Sequence, residues 1–188
     1  MQGWSGVAQV VVDGWGAVAD ELVAQLRRCE VLVLGGTHAA DGAELALAVG
    51  EAAPALVVVV AQGRAPRWAG APWQARGIPH LPVVVGTDRV VVGPLVLPGR
   101  TACLRCAEGA WTGPPMTGTG AGTGPADVPA ATVVLACAVA TVTILTTLRG
   151  DASLGGISTE IGLSDVTLAH RLWNVRPDCG CARVRMAG

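Results

Sequence analysis

The sequence predicts an α/β class: a Rossmann-like, mostly parallel sheet flanked by helices, with a zinc-bound C-terminal part. Three observations predict it. β-Branched runs alternate with helix-period segments from residue 7 to residue 92. A glycine turn, Gly14-x-Gly16-x-x-Ala19, joins the first strand to the first helix. Two cysteine pairs, Cys103 with Cys106 and Cys179 with Cys181, bracket the second half of the chain.

Residues 7–12 form a β-branched run that ends at Asp13-Gly14-Trp15-Gly16. Residues 17–29 follow helical spacing, with Val18, Leu22 and Leu26 on one face. A second strand over 30–34 stops at Gly35-Gly36, and residues 43–52 read as a helix broken by Pro54. Residues 56–61 are continuously apolar, as in a strand buried on both faces. Residues 64–76 combine loop and short helix. Strands over 81–85 and 89–92 flank the turn Gly86-Thr87-Asp88 and add an antiparallel hairpin. Strands alternating with helices imply right-handed βαβ units, and residues 1–188 are expected to form a single domain.

Residues 112–125, TGPPMTGTGAGTGP, are expected to be a flexible loop, because so few bulky apolar side chains cannot offset the entropy of ordering. Residues 128–148 are uncharged and about long enough to span a bilayer, but they are rich in Thr and lack flanking aromatics. The expectation is a helix buried in the core or at a dimer interface. Ala131, Ala138 and Ala140 would let a neighbouring helix approach closely. Two strands, 157–161 and 167–173, then lead to the second cysteine pair.

Cys103-x-x-Cys106 and Cys179-x-Cys181 supply the four thiolates of a tetrahedral structural Zn²⁺ site. Gly180 lets the shorter pair bend, and Pro177 fixes its approach. Two disulfides are an alternative, but a reducing compartment keeps such thiols free. A redox C-x-x-C is another, although that motif commonly opens a helix after a strand, and here it follows a Pro-Gly loop. Cys29 and Cys137 read as small core residues.

Apolar residues make up 51% of the chain, charged residues 14%, and the net charge is −1. That balance offers no electrostatic basis for binding nucleic acid or an anionic membrane. The N-terminus lacks the basic region of a signal peptide, so a cytoplasmic location is expected. The glycine turn has the context of a nucleotide-binding turn but lacks its partners. Gly35-Gly36 stands where a ribose-binding acid belongs, Gln62 stands where a Mg²⁺-binding carboxylate belongs, and the chain contains no lysine. ATP binding is therefore not expected. His38, His80 and His170 have no spacing to a nucleophile and read as surface or hydrogen-bonded structural residues.

The glycine turn, the alternating elements, V-G-P-L-V-x-P-G-x-T-A-C-L-x-C and the terminal P-x-C-G-C together resemble the ThiF-like (ubiquitin-activating-enzyme-like) superfamily. Within it they look like the cyclodehydratase partner proteins of azole-modified (TOMM) peptide biosynthesis. These are the leader-peptide-binding, Ocin-ThiF-like proteins that work with YcaO enzymes. The resemblance spans nearly the whole chain and is most specific over residues 92–106. It implies structural zinc on Cys103, Cys106, Cys179 and Cys181, and a long helix packed near a dimer interface. Two departures are visible: the acidic, Arg and Lys contacts that hold ATP in adenylating members, and the winged-helix segment that precedes this domain in many relatives. The function expected is a non-catalytic scaffold that presents a precursor peptide to a YcaO-type heterocyclase. The alternatives are an adenylyltransferase that activates a carboxylate with ATP and a degenerate structural subunit of a larger synthetase.

Overall fold

The computed structural model describes residues 8–63, 67–108, 128–165 and 167–183; the loop expected at 112–125 lies outside the described residues. Seven strands form one sheet in the order β2-β1-β3-β4-β5-β6-β7. β1 (Gln9–Asp13), β2 (Leu32–Gly36), β3 (Leu56–Gln62) and β4 (His80–Val85) run parallel. β5 (Arg89–Val92), β6 (Ile157–Gly162) and β7 (Leu168–Leu172) continue the sheet antiparallel. The fold class is the one expected, with the antiparallel half larger than a hairpin.

Each helix takes the face its apolar residues select. α1 (Ala17–Arg28) buries Val18, Ala19, Leu22 and Leu26 against one face of the sheet. Leu22 and Leu26 are completely enclosed, and each such burial contributes about 1.5–3 kcal/mol. α5 (Ala130–Leu148) lies beside α1 on the same face and inserts Val133, Ala136, Ala140 and Ile144 into the same core. Its exposed residues Ala131, Val134, Ala138 and Val142 form an apolar outer flank. By length and composition it meets the requirement for a membrane span, yet its other flank is sealed inside this fold. The opposite face of the sheet carries α2 (Ala39–Ala48) and α3 (Ala71–Ala75), packed through Ala43 and Trp73 on Val11 and Val57.

Two expectations need correction. α2 begins four residues before the predicted helix at 43–52, because Ala40 N–H donates to the Asp13 carboxylate at 3.2 Å and fixes its first turn. It ends at Ala48, and Gly50 beyond the cap, with a φ of +89°, turns the chain out of the helix before Pro54 is reached. Leu45 and Val49 consequently point outward, 68% and 71% exposed. Cys29 caps the end of α1 and is exposed, unlike the buried Cys137, whose thiol donates to the Val18 carbonyl at 3.3 Å.

Candidate metal centre and nucleotide crevice

Cys103 follows a turn in which the Thr101 hydroxyl accepts the Leu97 N–H at 2.8 Å. The first cysteine pair then opens α4 (Leu104–Glu108), with Cys106 N–H donating to the Cys103 carbonyl at 2.9 Å. A short helix starts at this C-x-x-C even though a Pro-Gly loop precedes it. The second pair lies where the chain leaves β7, the Cys179 N–H closing a turn onto the Arg176 carbonyl at 3.0 Å. Together the elements bring the four predicted sulfurs within 4.8 Å of one another.

The spacing fits a tetrahedral ion. Cys103–Cys106 is 3.8 Å, Cys103–Cys179 is 3.6 Å and Cys106–Cys181 is 3.6 Å. A tetrahedron with Zn–S bonds of about 2.3 Å has edges of about 3.8 Å. A disulfide would need sulfurs about 2.05 Å apart, and all four cysteines are free thiols. The cluster packs with Val96, Ala102, Ala107 and Trp173. It sits on the face opposite α5, where the Trp173 indole N–H donates to the Ser158 hydroxyl at 2.8 Å. In effect it replaces a covering helix over the antiparallel strands.

Protonation within the cluster is uneven. Burial pushes the Cys181 thiol up to about 12 and raises Cys103 as well. Cys179 is only half-buried and is brought down to about 7, chiefly by the backbone N–H of Cys181. The Arg176 N–H donates to Cys106 Sγ at 3.4 Å. Sequence reasoning missed this contact, although Arg176 lies three residues before the predicted ligand Cys179. It also missed the support behind α4. His80 is buried, its Nδ1 bonded to the Ile78 carbonyl at 3.1 Å, beside Gly70 and Leu104. Desolvation there lowers its pKa to about 4. The other two histidines are bound to neighbours, His38 to Asp41 and His170 to Thr159 Oγ1.

The glycine turn lies at the switch point between β1 and β3, where open α/β sheets hold ligands. Gly14 has φ +135°, and a Cβ there would stand 2.5 Å from the Val60 carbonyl oxygen. Gly16 caps α1 with φ +94°, and the nearest side-chain atom to an added Cβ would be Gln62 Nε2. The crevice thus offers backbone N–H groups, an amide from Gln62 and a carboxylate from Asp13 that already binds α2. β2 ends in Gly35-Gly36 with no acidic group. Trp15 beside the turn is exposed.

No family model and no curated protein sequence matches this chain. Solved structures do. A heterocyclase in complex with substrate and cofactor superposes with a TM-score of 0.64 at 18% identity, covering 93% of this chain and 25% of that one. MccB, the microcin C7 biosynthetic enzyme, in complex with N-formylated MccA gives 0.66 at 14% identity over 93% of this chain and 67% of that chain. E. coli MccB with ATP gives 0.62 at 15% identity. The chain spans a quarter of the heterocyclase and about two-thirds of MccB. At these identities what is shared is the fold: the α/β architecture that carries the cysteine cluster and the glycine turn is also that of MccB and of the heterocyclase.

Proposed function

We propose that this chain is a non-catalytic scaffold and recognition subunit in ribosomal azole-peptide biosynthesis. In this reading, residues 1–188 act as one cytoplasmic ThiF-like unit that holds a precursor peptide against a YcaO-type heterocyclase. The fold shared with a substrate-bound heterocyclase over 93% of the chain carries the proposal. Likeness to MccB in complex with a peptide points the same way. A zinc ion on Cys103, Cys106, Cys179 and Cys181 would cross-link the start of α4 to the segment after β7, organising the surface without doing chemistry.

The crevice supports a binding role over a catalytic one. Triphosphate needs charge compensation beyond what helix N–H groups supply, and the chain has no lysine to add it. The Asp13 carboxylate at the end of β1 adds negative charge instead. Mg²⁺ prefers carboxylate oxygens, which Gln62 does not provide. The adenylyltransferase reading keeps one observation in its favour: the Gly14–Gly16 turn stands at the switch point, and MccB with this fold has been solved with ATP.

The readings separate in one set of measurements. The scaffold should bind both heterocyclase and precursor peptide in calorimetry and give no ATP–pyrophosphate exchange. Adenylate formation by this chain, lost in Gly16→Ala while the fold survives, would establish the adenylyltransferase and end the scaffold proposal. Binding to the heterocyclase with none to the peptide would point to the structural-subunit reading.

A further inference from the structure

α5 crosses β5 and β6 on small inward residues, Ala136 and Ala140, and the chain has no Phe or Tyr to fill the space beside them. A pocket of about 530 Å³ is left between the outer flank of α5 and the antiparallel strands. That volume lies within the roughly 300–1,000 Å³ of pockets that hold small ligands. Ala138 and Val142 of α5 form its wall. The sheet order places Leu81 of β4 at one end and His170 of β7 at the other.

The polar groups of the pocket are few. No charged residue lines it. The Thr143 hydroxyl is committed to the Val139 carbonyl at 2.9 Å. Thr159 Oγ1 is paired with His170 Nδ1 at 3.0 Å. His170 Nε2 has no partner among the described residues. When the Thr159 hydroxyl donates to Nδ1, the ring proton sits on Nε2, which then serves as a donor. The pocket is therefore suited to a group that is uncharged, apolar over most of its surface and satisfied by one hydrogen bond.

An ordinary peptide segment does not meet those terms. Each residue brings an amide N–H and C=O, and burying them unpaired is penalised. Cyclising a cysteine changes the inventory. Its sulfur bonds to the preceding carbonyl carbon, and the carbonyl oxygen leaves as water with the thiol and amide hydrogens. The five-membered ring that remains has lost both donors and keeps one accepting nitrogen. We propose that this pocket binds the azoline ring of a cyclised peptide, with His170 Nε2 donating to the ring nitrogen. The inference rests on the scaffold reading and names what the scaffold retains: product in preference to substrate. The uncyclised residue is rejected because its N–H and S–H would be buried without partners.

Calorimetry of the full chain with two synthetic peptides tests it. The peptides share one uncharged sequence and differ only in whether a central cysteine is closed to thiazoline. The cyclised peptide should bind at least about tenfold more tightly. Ala138→Trp, at an exposed position on the pocket wall, should abolish that preference. His170→Phe keeps the shape of the rim and should weaken binding of the cyclised peptide roughly threefold to tenfold, as loss of one hydrogen bond does. Circular dichroism should show both variants folded. Equal affinity for the two peptides, or a preference that survives Ala138→Trp, overturns the proposal. A wild-type dimer that Ala138→Trp dissociates, with neither peptide bound, would assign the pocket to a second copy and overturn it as well. The scaffold reading fails separately, on loss of binding to precursor and heterocyclase. A ring preference that Ala138→Trp removes would support the pocket even then.

Discussion

Zinc binds thiolate, so loading this cluster must expel protons from the thiols that burial holds neutral, Cys103 and Cys181. Cys179, held at about 7, is already partly ionised near neutral pH and is the natural first ligand. Titrating metal into the metal-free protein should release protons to an indicator dye, and apparent affinity should rise as pH rises. Cys106→Ser should abolish metal binding and lower stability, since a structural zinc site contributes folding free energy. Cys29→Ser at the exposed end of α1 should leave the melting temperature unchanged. His80 adds an acid dependence of its own. Its folded-state pKa of about 4 lies below the unfolded value of about 6.5, so the unfolded chain takes up the proton first. Its contribution is complete above about pH 6.5 and declines as pH falls toward 4, by up to about 3 kcal/mol. Denaturant melts of wild type and His80→Gln at several pH values check this, because loss of metal acts on both proteins while the imidazole term acts on one.

The β1–α1 turn and α5 make different demands on their residues. Gly14→Ala combines a φ of +135° with a Cβ driven onto the Val60 carbonyl. It should cost on the order of 3 kcal/mol or more and shift the chemical-denaturation midpoint accordingly. Gly16→Ala has a φ of +94° but meets no atom closer than Gln62 Nε2 at 3.9 Å, so it should cost about 1–2 kcal/mol and leave the fold intact. That difference makes Gly16, and not Gly14, the position at which to test the crevice for nucleotide. On α5, Ile144→Ala opens a cavity in the main core and should cost about 2–5 kcal/mol, whereas Val134→Ala on the outer flank should stay within about 0.5 kcal/mol in the monomer. A helix apolar all round gives no such asymmetry by composition; packing against α1 and the sheet creates it.

Across the whole molecule the two halves of the sheet are held differently. The parallel half is sandwiched between α1 on one face and α2 with α3 on the other, while α5 runs beside α1 over β5 and β6. The antiparallel half has the cysteine cluster as its cover on the second face. Chelation should therefore act unevenly. Hydrogen exchange should accelerate in α4 and β6, and Trp173 emission should shift red as its contact with the cluster loosens. β1 and β3, enclosed on both faces, should keep their protection. Uniform loss of protection would show instead that the metal holds the whole fold as one cooperative unit.

The pattern of the chain determined much of this by itself. Continuous β-branched runs can be stable only with both faces covered, so β1, β3 and β4 were legible, as was the right order of helix and strand. Four cysteines in two close pairs marked the candidate metal site, because short spacing lets both sulfurs of a pair reach one ion, and the fold brings the four together. The start of α2 was not legible. It depends on a hydrogen bond from Ala40 to Asp13, which lies at the end of β1, 27 residues distant. The outward position of Leu45 and Val49, the burial of His80 beneath α4 and the contact of Arg176 with Cys106 have the same cause. Hydropathy and local spacing encode which residues seek cover. Only the sheet order, with β1 and β3 adjacent and β7 at the edge among the described residues, decided what covers them.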